Sequence, residues 1–500
     1  MGEIYFTDKD VTSIDDFSRQ EIEFIIRKAR EMKERELSGK RYSDLLKDKV
    51  LAELFYEPST RTRTSFERAM RELGGDVFGF SSTEGTSVSK RESLFMTVKM
   101  FEAYHADALV IRHPKDGSAQ WAADVAVIPV INGGDGRNEH PTQTLLDLCT
   151  IHEILKGKID GSHIAFGGDL KYGRTVHSLP LGLSKFKRVT LHLAAPEQLA
   201  MDRDFIERLR LRGMKVIEHK SLKEAFEKSQ IFYMTRIQLE RMKDKMPEEK
   251  ARELAEKFTI KLKTLDFNPG IKIMHPMPID SVMQEIEFPV VFSKSQYFLP
   301  QAQTGVFARK ALLSLILAKA RNKFFEERPR KELITPSNIV KRKIKKQKYE
   351  KFFYIDRIQN GTIIDHIQVG KGSEITELFH KKGCKLITAF GMPPEKPRKD
   401  IVKIFGYPLN QRIIKTIIMI SPDVTFNIIK DSKVIEKFKA ILCSNENCIT
   451  RVIEEDVPAK FCRTRSGKLE CHYCGHKQDI ELNLSRDDRR EYVNGLPLRR

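Results

Sequence analysis

The chain is expected to be an α/β protein with two doubly wound parallel-sheet domains, followed by a small α+β domain and a cysteine-rich tail. Three observations predict this. Between residues 50 and about 320, short β-rich apolar runs alternate with stretches of helical period, as in parallel sheets covered by helices on both faces. From about 350 to 440 short strands return with few long helices between them. The final 58 residues hold two close cysteine pairs. At 500 residues the chain exceeds one hydrophobic core, and ~150 residues per domain suggests about three.

The first strand is "VLAELFY", 50–56, and "EPST" is the turn behind it. Phe66, Ala69, Met70 and Leu73 then recur at i, i+3, i+4 and i+7, so a helix is predicted as far as Gly74-Gly75. Ser59 or Thr60 stands at its N-cap. Further strands are predicted at "DALVIR" (107–112), "VAVIPVI" (125–131), "HIAFGG" (163–168), "RVTLHLA" (188–194), "KVIEH" (215–219), "QIFYMT" (230–235) and "IKIMHP" (271–276). The helix that starts at "HPTQTLLDLCTIHEIL" joins the two sheet units, and "TGVFARKALLSLILAKA" (304–320) reads as a long buried helix closing them.

The pattern then breaks. Residues 341–348, "KRKIKKQK", hold six basic residues of eight, either a solvated linker or a contact for nucleic acid or an acidic partner. Beyond it "FFYIDRI", "GTIIDHIQV", "CKLITAF" and "IVKIFG" supply the strands of the α+β domain. The formal charge of +19 points to anionic partners without choosing among them. "MGEIYFTDKD" lacks the basic start and apolar core of a signal peptide, and no apolar run nears the ~20 residues of a membrane span. A soluble, cytoplasmic protein is therefore expected.

Functional residues gather where strands end. "EPSTRTRTSFE" sets Ser59, Thr60, Arg61, Thr62 and Arg63 at a helix N-terminus, where free N–H groups and the dipole favour an anion such as phosphate. A capped helix with two surface arginines is the plainer alternative. The Gly-Lys-Ser/Thr ending of a Walker loop is missing. "VIRHP" leaves Arg112 and His113 after a strand, and "GGDGRNEHPTQTLLD" puts His140 before a proline suited to a first helical turn, with Gln143 three residues on. "GGDLKYGRTVHSL" and "FYMTRIQLER" add Arg174, Arg236 and Gln238. In open α/β sheets, ligands bind outside the carboxyl ends of the strands, and all of these residues follow strands.

In the tail, Cys443 and Cys448 form a C-x4-C pair and Cys471 and Cys474 a C-x2-C pair. Four such thiolates make a closed tetrahedral structural zinc site; buried or redox thiols are the alternative. Cys462, His472 and His476 stand nearby as bystanders.

Taken in order, "STRTR", "RHP", "HPTQTLLD", "GDLKYGRTVHSL", "YMTRIQLER" and "HPMP" resemble the catalytic chain of aspartate carbamoyltransferases over residues 1 to about 325. Ornithine carbamoyltransferases share the first and third motifs, but typically carry His-Cys-Leu-Pro where His275-Pro276-Met277-Pro278 stands. Residues 350–500 resemble the regulatory chain of the same enzyme through "GTIIDHI", "RKDIVKI" and "CSNENC…CHYC", so the two look fused.

The resemblance implies transfer of a carbamoyl group from carbamoyl phosphate to L-aspartate, in de novo pyrimidine biosynthesis, with no covalent intermediate and no organic cofactor. It implies that Ser59, Thr60, Arg61 and Thr62 hold the phosphate, and that Thr62, Arg112 and His140 polarise the carbonyl. Gln143 and the backbone carbonyls of Pro276 and Met277 would hold the amide, and Arg174, Thr175, Arg236 and Gln238 the two aspartate carboxylates. Ser87 and Lys90 of "TSVSKRES" would come from a neighbouring subunit of an oligomer at least trimeric; Arg91 stands there where glycine is common. Asp365, His366, Lys403 and Lys437 match nucleotide-effector positions, although the stretch from Lys437 to Cys443 is shorter than in separate regulatory chains.

The implied organisation is a carbamoyl-phosphate domain (1–141, with a closing helix at 301–325), an aspartate domain (142–300), a basic linker (326–349), a nucleotide-binding domain (350–441) and a zinc-binding domain (442–500). Two rivals remain on sequence alone: an ornithine-type carbamoyltransferase, and a nucleic-acid-binding zinc protein suggested by the charge, basic run and tail.

Overall fold

The apolar runs of the first half form strands buried on both faces, the signature of sheets sandwiched between helical layers. In this computed structural model the described residues are 6–237, 247–318, 339–341, 359–380, 384–392, 399–406, 409–455, 457–464 and 466–479. The chain divides into two units, Met1–Arg328 and Pro329–Arg500.

The first unit begins with α1 (Arg19–Leu37), opened by a reciprocal capping box between Ser18 and Glu21. Strand β1 (Val50–Phe55), α2 (Thr60–Glu72), β2 (Asp76–Phe80), α3 (Leu94–Ala103), β3 (Ala108–His113), α4 (Ser118–Val125) and β4 (Val130–Asp135) follow. They build a parallel sheet of order β2-β1-β3-β4. Then α5 (Pro141–Ile154) leads to β5 (His163–Gly167), α6 (Arg174–Leu183), β6 (Thr190–Ala194), α7 (Arg203–Leu211), β7 (Lys215–Glu218), α8 (Leu222–Glu227), β8 (Ile231–Met234), α9 (Glu248–Glu256) and β9 (Lys272–Met274). This second parallel sheet has the order β7-β6-β5-β8-β9. The long α10 (Phe298–Leu317) packs against α1, α2 and α5, and one apolar core runs continuously from Phe6 to Leu317.

The strand order reverses once in each sheet, between β1 and β3 and between β5 and β8. Such reversals open a crevice at the carboxyl ends of the strands. Two expectations shift here. The run 125–131 is not one strand, because Val125 ends α4 and the strand runs Val130–Asp135. Strand β2 was not foreseen, since "DVFGF" is a half-exposed edge with a glycine inside it. Gly79 is required: at φ 136°, a Cβ would lie 2.2 Å from the Glu53 carbonyl oxygen.

In the second unit β10 (Ile339–Lys341), β11 (Gly361–Ile367), α11 (Gly372–His380), β12 (Leu386–Met392), β13 (Lys399–Phe405), α12 (Gln411–Ile420), β14 (Thr425–Lys430) and β15 (Lys433–Ala440) give an antiparallel sheet, order β10-β15-β14-β11-β13-β12. Ile364, Val402 and Phe426 pack with Ile375, Phe379 and Ile417 from the two helices to make its core. Strand β10 thus lies within the stretch read as a linker, whereas residues 342–348 and "FFYIDRI" lie outside the described residues. A small sheet of β16 (Phe461–Arg463), β17 (Leu469–Cys471) and β18 (Lys477–Gln478) forms the tail. The buried Lys415 of α12 fastens that tail, donating to the carbonyls of Val452 (3.2 Å) and Glu455 (2.9 Å). Among the described residues, no helix is long and apolar enough to cross a membrane.

Candidate active site

Both sheet reversals of the first unit open on one cavity of about 590 Å³. Ser59 is the N-cap of α2, but its hydroxyl does not close the helix; it accepts an N–H from Arg112 Nη1 at 3.2 Å. The first-turn N–H groups and the positive end of the dipole are thereby left for an anion. Ser59, Thr60, Arg61 and Thr62 all line the cavity at this end.

Arg63, counted with them in sequence, does not. It sits two residues, or about 200°, further round the helix, and its Nε lies 3.1 Å from Glu53 Oε2. Arg112 and Arg174 line the cavity with Arg61, so guanidinium groups from α2, β3 and the start of α6 converge. Burial and the neighbouring Arg174 and Arg61 pull Arg112 down to about 10, which leaves it cationic at neutral pH. Arg174 fits because residue 134 is glycine: at φ 116°, a Cβ there would meet Arg174 Nη1 at 2.6 Å.

The brace between these arginines was missed in sequence. Glu57 Oε2 accepts from Arg174 Nη2 at 3.1 Å and lies 3.7 Å from Arg112 Nε, joining loops from the two sheets. A carboxylate directly before a donor-rich helix start was the available signal. Arg309 of α10 was missed too. It lines the cavity, lies 4.9 Å over the Phe66 ring, and is lowered to about 10 by burial.

His140 is the N-cap of α5, with Pro141 as the first helical residue. Its Nδ1 accepts the Gln143 backbone N–H at 3.3 Å, so in the neutral ring the proton belongs on Nε2, which lies 3.3 Å from Thr62 Oγ1. Burial, reinforced by Arg112, Arg309 and Arg174, holds this imidazole well below its usual pKa. It is a neutral hydrogen-bond donor, not a base carrying charge.

Gln143, Thr175, Pro276 and Met277 also line the cavity. Arg236 does not: its Nε donates to Asp280 Oδ2 at 3.1 Å, and Gln238 lies outside the described residues. Ser87 and Lys90 sit in a short 3-10 turn and do not line this cavity, and the buried His113 packs edge-on against Tyr56.

In the second unit, Lys403 pairs with Ile363, Ile363 with Asn427, and Asn427 with Lys437, so both lysines project from one sheet face. Asp365 shares that face, opposite Ile364, Val402 and Phe426, and accepts from Lys399 Nζ at 2.7 Å. The exposed His366 follows at φ 63°.

The four tail sulfurs lie within 4.8 Å of one another, with Cys443–Cys474 at 3.6 Å and Cys448–Cys471 at 3.8 Å. A tetrahedral ion bound by thiolates at ~2.3 Å needs sulfurs about 3.8 Å apart, so the set fits a metal. Thr450 Oγ1 donates to Cys448 Sγ at 3.3 Å, as an outer partner of a ligand does.

Residues 9–153 match the family model of the aspartate/ornithine carbamoyltransferase carbamoyl-P binding domain, and 160–316 that of its Asp/Orn binding domain. Residues 353–440 match the allosteric domain, and 433–482 the metal binding domain, of the aspartate carbamoyltransferase regulatory chain. The aspartate carbamoyltransferase catalytic subunit of Thermococcus kodakarensis is 48% identical over 311 residues, 62% of this chain and 97% of that protein. That of Methanocaldococcus jannaschii is 42% identical over 309 residues, covering 62% and 98%. Among solved structures, the M. jannaschii catalytic subunit superposes with a TM-score of 0.57 at 42% identity, over 61% of this chain and 97% of its own. Trypanosoma cruzi aspartate transcarbamoylase does so with carbamoyl phosphate and aspartate bound (TM-score 0.57, 34% identity, 62% and 96% covered). Its complex with N-(phosphonacetyl)-L-aspartic acid gives a TM-score of 0.58 at 35% identity, over 62% and 97%.

Proposed function

The chain belongs to the aspartate carbamoyltransferase family, and we propose from that premise that its cavity transfers the carbamoyl group of carbamoyl phosphate to L-aspartate. The products are N-carbamoyl-L-aspartate and phosphate, a step of pyrimidine biosynthesis, and the enzyme is cytoplasmic. One observation carries the reading: an uncapped helix start, three converging arginines and a neutral imidazole donor line a single cavity.

The roles follow from charge. The aspartate amine attacks the carbamoyl carbon, the bond from that carbon to the phosphate oxygen breaks, and phosphate departs with the electron pair while the amine loses a proton. Charge grows on the carbonyl oxygen and on the leaving phosphate. Fixed donors aimed at both lower the barrier without a covalent intermediate. We assign the phosphate to Ser59, Thr60, Arg61 and Thr62, and the carbonyl oxygen to Thr62, Arg112 and His140 Nε2–H. The carbamoyl NH2 goes to Gln143 and the carbonyls of Pro276 and Met277. Arg174 and Thr175 take one aspartate carboxylate, for which Arg174's fork is suited. Arg236 and Gln238 take the other, Arg236 exchanging Asp280 for it.

We read residues 1–141 with the closing helix as the carbamoyl-phosphate domain and 142–300 as the aspartate domain. Ser87 and Lys90 serve the site of a second copy in an oligomer at least trimeric. Two features support this: they do not line their own cavity, and the helix that follows exposes Phe95, Met96 and Met100, with exposed Tyr104 at its end. The tail metal is zinc, held by Cys443, Cys448, Cys471 and Cys474; metal analysis finding a folded chain without zinc removes that assignment. A nucleotide effector binds the sheet face carrying Asp365, Lys403 and Lys437, beside His366.

Offering carbamoyl phosphate with aspartate or ornithine tests the catalytic reading. Equal amounts of N-carbamoyl-L-aspartate and phosphate are expected, with the rate followed in the presence of ATP, CTP or UTP. Carbamoylation of ornithine in preference to aspartate defeats it.

A further inference from the structure

Asp147 does not itself line the cavity, yet two of the cavity's glutamines depend on it. Asp147 is fully buried on α5, one turn beyond Gln143. Its Oδ1 accepts from Gln143 Nε2 at 3.0 Å and from Gln301 Nε2 at 2.6 Å, and its Oδ2 accepts from Tyr233 Oη at 2.8 Å. Arg309, buried nearby on α10, balances its charge.

A carboxylate oxygen only accepts, so each glutamine must turn its NH2 toward Asp147 and its oxygen away. For Gln143, which lines the cavity, that leaves the Oε1 acceptor for a guest. For Gln301 it aims Oε1 at the His275 backbone N–H, 2.9 Å away. The His275 Nδ1 then accepts the Met277 N–H at 2.8 Å, which ties down the loop whose Pro276 and Met277 line the cavity. One buried carboxylate thus orients Gln143 and, through Gln301, ties down the loop whose carbonyls the functional reading gives to the carbamoyl NH2.

We propose that Asp147 is a positioning residue for donor specificity: by fixing the amide orientation of Gln143 and Gln301, it makes the cavity select a group bearing N–H, the carbamoyl NH2, over an isostere bearing CH3. This rests on the carbamoyl-transfer reading and adds to it the residue that decides which acyl phosphate is used. Burial pushes the Asp147 carboxyl up to about 7, while donation from Tyr233, Gln301 and Gln143 and the charge of Arg309 favour the carboxylate.

The physics is that of a site built around substrate N–H groups. An analogue lacking them leaves buried acceptors unpaired and is rejected strongly. Asp147→Asn leaves one acceptor oxygen where two stood, and where its NH2 takes the place of Oδ1 either glutamine can flip and offer its own NH2 to the guest.

The test measures kcat/KM for carbamoyl phosphate and for acetyl phosphate, each with aspartate, in the full-length parent, Asp147→Asn and Gln301→Met. The ratio of carbamoyl to acetyl transfer is expected to fall by at least ~10-fold in Asp147→Asn and by less in Gln301→Met. A general loosening of structure slows both donors alike, so an unchanged ratio in both variants overturns the proposal even if turnover drops. Should Asp147→Asn fail to fold, an unchanged ratio in Gln301→Met overturns it alone. A parent that makes no N-carbamoyl-L-aspartate brings down the functional reading itself, an outcome separate from an unmoved ratio.

Discussion

Arg61 and Arg63 stand two residues apart on α2 and face different surroundings, one the cavity and the other Glu53. Burial raises the Glu53 carboxyl to about 8, the neighbouring Arg63 opposing that rise, so this pair belongs to the packing of β1 against α2. Arg61 shows no such partner among the described residues, and we propose it as the anion-binding member. Its replacement by alanine is expected to lower turnover by at least ~10²-fold, the scale of losing one transition-state donor, in a protein that remains folded. Steady-state kinetics within a few-fold of the parent would remove Arg61 from the phosphate site. The residue types of the site were legible because hydroxyls and arginines after a strand have few other uses in combination. Which arginine points inward was not, since that depends on the helix phase relative to the sheet. Glu57 escaped notice for a related reason: a carboxylate becomes informative only once two guanidinium groups from distant loops are found on it.

At the level of elements, three neighbouring strands line up a chain of histidines that crosses the sheet diagonally, from His163 at the start of β5 through His192 in the middle of β6 to His219 just past β7. His163 Nδ1 faces His192 Nε2 at 3.0 Å, His192 Nδ1 faces His219 Nε2 at 2.8 Å, and His219 Nδ1 lies 3.1 Å from Glu224 Oε2. The terminal carboxylate accepts, so each Nδ1 carries a proton and donates, and the Nε2 atoms of His192 and His219 accept. Protonating the middle ring breaks this order. Its burial, with His219, His163, Lys228 and Lys215 adding repulsion, brings His192 down to about 4 from the ordinary 6.5. Because the folded pKa is the lower one, this contribution to stability is complete above about pH 6.5 and is lost as pH falls toward 4. Urea midpoints are therefore expected to drop between about pH 7 and pH 5 in the parent, and less in His192→Gln. Equal slopes would show that the chain carries no such linkage. None of this was legible, because the three histidines are neighbours only through strand order. Strand positions were otherwise read well where both faces are buried, as in β1, β5 and β8. They failed at β2, whose half-exposed edge carries no continuous apolar signal.

For the whole molecule, the order of motifs along the chain foretold two parallel sheets, an α+β domain and a four-cysteine tail, and the two units follow that order. Cysteine spacing was legible because two short pairs make a tetrahedral set with few alternatives. The convergence of β1, β3, β5 and α6 on one cavity required the fold, since only sheet reversal brings their loops together. That convergence is also the central claim, because it joins a phosphate site and an amino-acid site carried by different sheets. Calorimetric titration with N-(phosphonacetyl)-L-aspartic acid, which bears both groups in one molecule, tests it most directly. One molecule should bind per chain, and Arg61→Ala on α2 and Arg174→Ala on α6 should each weaken binding by roughly 10²-fold, the cost of losing a charged hydrogen-bond partner. Binding that persists unchanged in either variant would mean that the two arginines do not share a site.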